Sequence, residues 1–374
     1  MNKLTFTAQE WLRYTRHIQL KGFGASAQAK LKRSRVLVVG LGGLGCPVAA
    51  YLAAAGVGHL TLVDGDTVDA TNLQRQILYT GRDIDEYKAE IAREKLTQLN
   101  ADIVIDAHCS HFSLSLASQL GEFDLLVDCT DNFASRYLIN DFCLRENLTW
   151  LYASVNHFSG QCALFEAGEA CFRCLFPETP QHIEDCNAAG VIGTVPAMLG
   201  VIQANEAIAF LSGRDAALKN KLLILDVSRL DSRKISLVAD PSCRCRNSSI
   251  TIDSQSPDYQ FACEDGLSAA GSPSAALSLA PEAFARECHR EGVMVVDVRS
   301  EQERELFHIG GDHLPIDKFD QALDNLDREQ TIICYCQTGK RSLAFAEKLS
   351  RHGFNAKSLS GGLVAMLKMS FKKG

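Results

Sequence analysis

The chain alternates short apolar runs with longer stretches in which apolar residues recur every three or four positions. Ser34 to Gly40 is a continuous apolar run ending in glycine, the pattern of a parallel strand buried on both faces. An alanine-rich helical stretch follows from Leu44 to Ala55, then a second strand from His59 to Asp64. Ile103 to Ala107 and Asp124 to Cys129 read as further strands, with helical spacing from Tyr87 to Leu99 and from Ser135 to Glu146. Such alternation predicts a doubly wound α/β sheet. Gly160 to Phe165 and Leu222 to Ser228 read as strands around a helix near Pro196 to Leu211. Residues 246–276 lose the periodicity and are rich in Ser, Asp, Gln, Gly and Ala, which reads as a linker. A compact α/β pattern then resumes, giving expected domains at 1–245 and 277–374.

Composition narrows the class. A chain of 374 residues exceeds one ordinary core, and 46% hydrophobic with 22% charged residues is a soluble globular balance. No apolar run reaches the roughly eighteen residues of a membrane span. Met1 to Thr7 lacks the apolar core of a signal peptide. The net charge of −7, with no basic stripe, argues against a nucleic-acid partner. The expected setting is the cytoplasm, with no membrane partner. There, 14 cysteines point to metal ligation and thiol chemistry rather than disulfides. Cys46, Cys109, Cys129, Cys143, Cys162 and Cys334 lie in apolar or helical contexts and are expected to pack as inert small hydrophobes.

Gly40-Leu41-Gly42-Gly43-Leu44-Gly45 places G-x-G-x-x-G between a strand and a helix. Glycines let the backbone approach a phosphate, and the helix N-terminus offers free N–H groups. Asp64 ends the next strand, where an acid takes ribose hydroxyls. These features alone fit a nicotinamide-dependent oxidoreductase. Asn72-Leu73-Gln74-Arg75-Gln76 then adds an arginine and amides, Lys88 opens the next helix, and Cys129-Thr130-Asp131-Asn132 closes a strand with an acid–amide pair. An arginine and a lysine beyond the ribose suit a triphosphate, and an acid suits magnesium.

Together with Arg13-Tyr14-Thr15-Arg16-His17, these motifs resemble the ThiF/MoeB/HesA adenylyltransferases, relatives of ubiquitin-activating enzymes, over residues 8–245. The resemblance implies a Rossmann-like doubly wound domain. It implies that Gly43, Asp64, Asn72, Arg75, Lys88 and Asp131 bind MgATP, with Gly40, Gly42, Gly45 and Asn132 in the same cradle. Arg75 and Asp131 would serve catalysis, and Arg16 would reach the phosphates of a partner subunit in a homodimer. His17 stands where the family usually has Gln. The chemistry expected is attack of a carboxylate on the α-phosphate, giving an acyl adenylate and pyrophosphate, on a ubiquitin-like sulfur carrier ending in Gly-Gly. Positioning and charge neutralisation suffice, because the nucleophile is already ionised.

Cys171-Phe172-Arg173-Cys174 and Cys243-Arg244-Cys245 supply four thiols, the ligand count of a structural zinc site. Relatives commonly carry two C-x-x-C pairs here; the second pair in this chain is C-x-C, and a redox or simply reduced C-x-x-C is the alternative. Cys186, in the polar loop Asp185 to Val191 before a helix, is a candidate nucleophile. In the family a cysteine at this motif can form a thioester or acyl-disulfide with the carrier.

Thr331 to Tyr335 reads as a buried strand delivering Cys336-Gln337-Thr338-Gly339-Lys340-Arg341-Ser342 into a helix. Successive N–H groups of such a loop form an anion nest that stabilises a persulfide. With Val296-Asp297-Val298-Arg299 and Gly361-Gly362, residues 278–370 resemble a rhodanese, although its Gly-His-Ile element reads Phe307-His308-Ile309. Four residues separate Cys336 from Arg341, as in sulfurtransferases; the related dual-specificity phosphatases have five. Cys336 and Arg341 are thus the candidate sulfur-transfer pair, with a persulfide donor such as a cysteine desulfurase as partner. The competing readings are an oxidoreductase fused to a sulfurtransferase, or a scaffold holding inactive copies of both domains.

Overall fold

Three short helices precede the first strand: α1 (Ala8–Arg13), α2 (Thr15–Gln19) and α3 (Gly24–Arg33). Thr7 starts α1 with a reciprocal cap, accepting from Glu10 N while Glu10 accepts from Thr7 N. The computed structural model describes residues 6–178, 190–243, 252, 256–259, 276–319, 323 and 326–371. These fall in two units, Met1–Phe261 and Ala262–Gly374.

The first unit continues through β1 (Arg35–Val39), α4 (Gly45–Ala55), β2 (His59–Val63), α5 (Lys88–Leu99), β3 (Val104–His108), α6 (Leu114–Ala117), β4 (Leu125–Asp128) and α7 (Phe133–Arg145). It ends with β5 (Trp150–Asn156), β6 (Ser159–Phe165), α8 (Phe172–Leu175), α9 (Thr194–Ser212), β7 (Lys221–Asp226) and β8 (Asp231–Ser236). The sheet runs β3-β2-β1-β4-β5-β6-β7-β8. Its first five strands are parallel and the rest antiparallel. β1 shows why its apolar run is unbroken. Val36 and Val38 face one core with α4 and α9, whereas Leu37 and Val39 face a second with Tyr137 and Ile139 of α7. Burial of each such side chain contributes about 1.5–3 kcal/mol.

The 19-residue α9 is long and apolar enough to cross a membrane by length and composition, which corrects the expectation that no segment reaches that length. It packs instead inside the unit, where buried Gln203 donates to Asp128 O (2.8 Å) and Glu206 accepts from Leu218 N (2.7 Å). Ile252 and Tyr259, from the stretch read as a linker, pack against the α7 core.

The second unit contains β9 (Ser278–Leu279), α10 (Pro281–Glu287), β10 (Val293–Asp297), α11 (Glu301–Leu306), β11 (Asp312–His313), β12 (Thr331–Tyr335), α12 (Lys340–Arg351), β13 (Asn355–Leu359) and α13 (Gly362–Phe371). Its parallel sheet has the order β11-β10-β12-β13-β9, which centres β12 and places Cys336 at the C-terminal edge.

Candidate functional site

Strand order reverses at β1, which pairs with β2 on one side and β4 on the other. Ligands bind α/β sheets in the crevice outside the strand ends at such a point. The loops leaving β1 and β4 are Gly40–Gly45 and Cys129–Asn132. They touch: a Cβ on Gly40, which has φ +90°, would lie 2.8 Å from Cys129 O. A Cβ on Gly45 would strike Gly40 O. Glycine is required at both positions.

Around this crevice the predicted residues take up definite partners. Asp64 is buried; its Oδ2 accepts from Leu41 N (2.7 Å) and its Oδ1 from Asp66 N (2.8 Å). Burial pushes its carboxyl up, with Lys88 partly offsetting. Lys88, also buried, places Nζ 2.8 Å from Asp66 Oδ2. The acid beside it, Asp66, stands two residues after Asp64, a spacing visible in the sequence. Arg75 Nη1 donates to Thr71 O (3.0 Å) and its side chain lies beside Gly43. Asn72 sits in the same turn, with Nδ2 3.5 Å from Thr71 Oγ1. Asp131 is exposed at the head of α7, and Asn132 caps that helix by accepting from Ser135 N (2.8 Å). Arg16 is exposed on α2.

Three buried polar atoms near these loops have no hydrogen-bond partner: Gln76 Oε1, Asp128 Oδ2 and Arg136 Nε. Gln76 lies under Gly42, its Nε2 3.7 Å from where a Cβ would be. Arg136 Nε stands 3.7 Å from Asp128 Oδ2, and Arg136 Nη2 donates to Thr130 O (2.8 Å). Burial holds the Asp128 carboxyl up at about 6, against the pull of Arg136. Orphaned polar atoms beside a glycine loop suit a polar ligand that completes them.

Cys171 Sγ lies 3.8 Å from Cys174 Sγ and 3.7 Å from Cys243 Sγ. Tetrahedral Zn–S bonds of about 2.3 Å would set sulfurs about 3.8 Å apart, whereas a disulfide needs about 2.0 Å. The three thiols form a cluster able to hold a metal. Cys245 and Cys186 lie outside the described residues. Between the paired cysteines, Arg173 grips Asp141 of α7 with both Nε (2.9 Å) and Nη2 (2.8 Å), and its Nη1 pairs with Asp258 (2.9 Å). Tyr259 donates to the same Asp141 carboxylate at 2.5 Å.

In the second unit Cys336 is fully buried at the end of β12. Its Sγ accepts from Gly339 N (3.1 Å), Ser342 N (3.4 Å) and Ser342 Oγ (3.5 Å), the convergent donors expected of an anion nest. The Gly361-Gly362 turn closes the loop, with Leu363 N donating to Cys336 O (2.9 Å). Arg299 pairs with Asp297 (2.8 Å) and stands near Gln337. Of the cysteines expected to be inert, Cys46, Cys129, Cys143, Cys162 and Cys334 are buried; Cys109 is a correction, because it follows β3 in an exposed loop.

The ThiF family model matches residues 14–247 and a rhodanese-like domain model matches residues 280–369. The chain belongs to the ThiF family. This ThiF-family chain is 33% identical to a "probable adenylyltransferase/sulfurtransferase MoeZ" of Mycobacterium tuberculosis, over 96% of this chain and 93% of the relative. It is 32% identical to "adenylyltransferase and sulfurtransferase MOCS3-1" of Zea mays, over 94% and 80% respectively. Among solved structures, E. coli MccB with ATP matches 62% of this chain and 74% of its own, with TM-score 0.55 and 23% identity, a likeness of fold. The ThiF-family enzyme is thus an adenylyltransferase and sulfurtransferase that couples ATP-dependent adenylylation to sulfur transfer through a rhodanese persulfide. The oxidoreductase and scaffold readings fall away.

Proposed function

We propose that the crevice at β1 and β4 adenylates the C-terminal Gly-Gly carboxylate of a small ubiquitin-like sulfur carrier, and that Cys336 then delivers sulfur to it. The observation that carries the reading is the meeting of the Gly40–Gly45 loop with buried Asp64, Lys88 and Gln76, whose Oε1 has no hydrogen-bond partner, at a sheet's switch point. Asp64 takes the ribose hydroxyls, and Lys88 and Arg75 neutralise the phosphates. The carrier carboxylate attacks the α-phosphorus, pyrophosphate leaves, and the two cations offset charge as it moves to the leaving group. Asp131, exposed beside them, would hold magnesium, which supplies further neutralisation of the triphosphate. Cys171, Cys174 and Cys243, with Cys245 as fourth ligand, would hold zinc as a structural staple.

The Cys336 persulfide, S–S⁻, attacks the adenylate carbonyl and AMP leaves, giving an acyl disulfide. A second thiol, Cys186 or an external reductant, attacks that disulfide at the Cys336 sulfur. The carrier departs as a thiocarboxylate. Exposed Trp11, Leu12 and Leu20 around Arg16 support a homodimer in which Arg16 serves the partner's phosphates. Persulfide supply by a cysteine desulfurase in the cytoplasm completes the scheme.

The test is ATP–pyrophosphate exchange with candidate Gly-Gly carriers, followed by thiocarboxylate mass. Cys336→Ala should retain exchange and lose thiocarboxylate; full turnover without Cys336 would sink the scheme.

A further inference from the structure

The arginine that follows the Cys336 loop is already engaged. Arg341 Nη1 and Nη2 lie 2.8 Å and 2.6 Å from the two carboxylate oxygens of Glu303, a bidentate pair. Glu303 is held in place, because it is the third residue of α11 and its Oε2 also accepts from Ser300 N (3.1 Å) and Ser300 Oγ (3.1 Å). Hydrogen bonding to Arg341 first, then Ser300, draws its carboxyl down to about 2, so it stays ionised. Arg341 stays protonated mainly through Glu303, with Cys336 a smaller contributor. The buried cation beside Gln337 of the loop, Arg299, is likewise neutralised by Asp297. Lys340 is exposed, where solvent and salt screen it.

A sulfur donor approaching Cys336 therefore meets a guanidinium whose charge is matched by a fixed carboxylate. Thiosulfate brings two negative charges and must displace Glu303 or lie beside it. A persulfide brings one at most. We propose that Glu303 is a specificity-determining residue that disfavours small dianionic sulfur donors and leaves Cys336 to be charged from a thiol persulfide. The inference rests on Cys336 being the sulfur-carrying residue. In the favoured step the Cys336 thiolate attacks the terminal sulfur of R–S–SH. The Cys336 Sγ–S bond forms, the donor S–S bond breaks, and R–S⁻ leaves. The products are Cys336–S–SH and a thiolate, with no net redox change.

The experiment uses the full chain and two probes, thiosulfate with cyanide as acceptor and cysteine persulfide, which carries one net negative charge, the latter read by mass gain of one sulfur atom on Cys336. Glu303→Gln keeps the helix cap, since Gln serves that position as well as Glu. Removing one negative charge next to a dianion should raise the thiosulfate-to-persulfide ratio of kcat/KM on the order of tenfold. It should also make the thiosulfate rate fall more steeply with salt. Glu303→Ala should shift the ratio the same way even if its helix frays. An unchanged ratio, or parallel loss with both donors, would mean that Glu303 only props Arg341 and overturns the inference. A wild-type chain that takes sulfur from neither donor overturns the Cys336 reading, and the inference with it.

Discussion

Arg173, set between the two cysteines of the C-x-x-C pair, closes a bidentate ion pair on Asp141 of α7, the helix that Asp131 and its N-cap Asn132 lead into from the crevice at β1 and β4. Next to it, Asn140 accepts from Phe172 N (2.9 Å), so one helix ties the crevice loop to the cysteine cluster. Arg173 also lies with its guanidinium carbon 4.3 Å from the Tyr137 ring centre. The pair is fully enclosed, Asp141 being 0% and Arg173 7% exposed.

Arg173→Ala leaves the Asp141 carboxylate buried without its cation, with Asn140 Nδ2 (2.9 Å) and the Tyr259 hydroxyl (2.5 Å) still donating to it. Breaking a buried pair in this way costs about 3–5 kcal/mol. Urea unfolding should show that loss, and Arg173→Lys should recover only part of it, because an ammonium cannot make the fork. A loss below about 1 kcal/mol for Arg173→Ala would mean that Asp141 is adequately served by the other groups around it.

Asp128 gives a pH signature. Its folded-state carboxyl, at about 6, lies above the unfolded value near 3.8, so the folded chain binds the extra proton. The sign follows: the burden of a buried carboxylate is absent below about pH 4 and grows as pH rises through 6. Relative to Asp128→Asn, wild type should gain up to about 3 kcal/mol on going from pH 7 to pH 4. Parallel stability–pH curves for the two proteins would refute the assignment.

Metal content is a separate matter from chemistry. Cys174→Ser should lower bound zinc to near zero by elemental analysis and reduce thermal stability. ATP–pyrophosphate exchange by the fraction that remains folded should persist, since no open coordination position is called for. Retention of zinc would show that the remaining thiols suffice without Cys174.

Much of the scaffold was legible because its strands are buried on both faces: Ser34 to Gly40, His59 to Asp64 and Asp124 to Cys129 each resolve to a strand within a residue or two. β5 escaped because its seven residues mix Tyr, Ser and Asn with apolar ones, and β8 because all six of its residues are exposed. The glycine loop, Asp64 and Lys88 converge as their spacing implies. What spacing could not reveal were partners from distant segments: Gln203 on Asp128 O, Arg173 on Asp141, Glu303 on Arg341. Cys109 does not pack as a small hydrophobe because its neighbours His108 and Ser110 are polar and it follows β3 in an exposed loop.

A chain that carries sulfur among 14 cysteines faces a risk of misrouting, because any ionised thiol within reach of a persulfide can intercept it by exchange. Cys334 sits two residues from Cys336, yet burial pushes its thiol far up, and burial does the same for Cys129, Cys143 and Cys162, with Cys46 held at about 12. These thiols stay protonated and enclosed, and so are silent in the traffic. A radiolabelled sulfur atom given to the chain therefore has five fewer places to stop, which narrows what a single-turnover chase must tell apart.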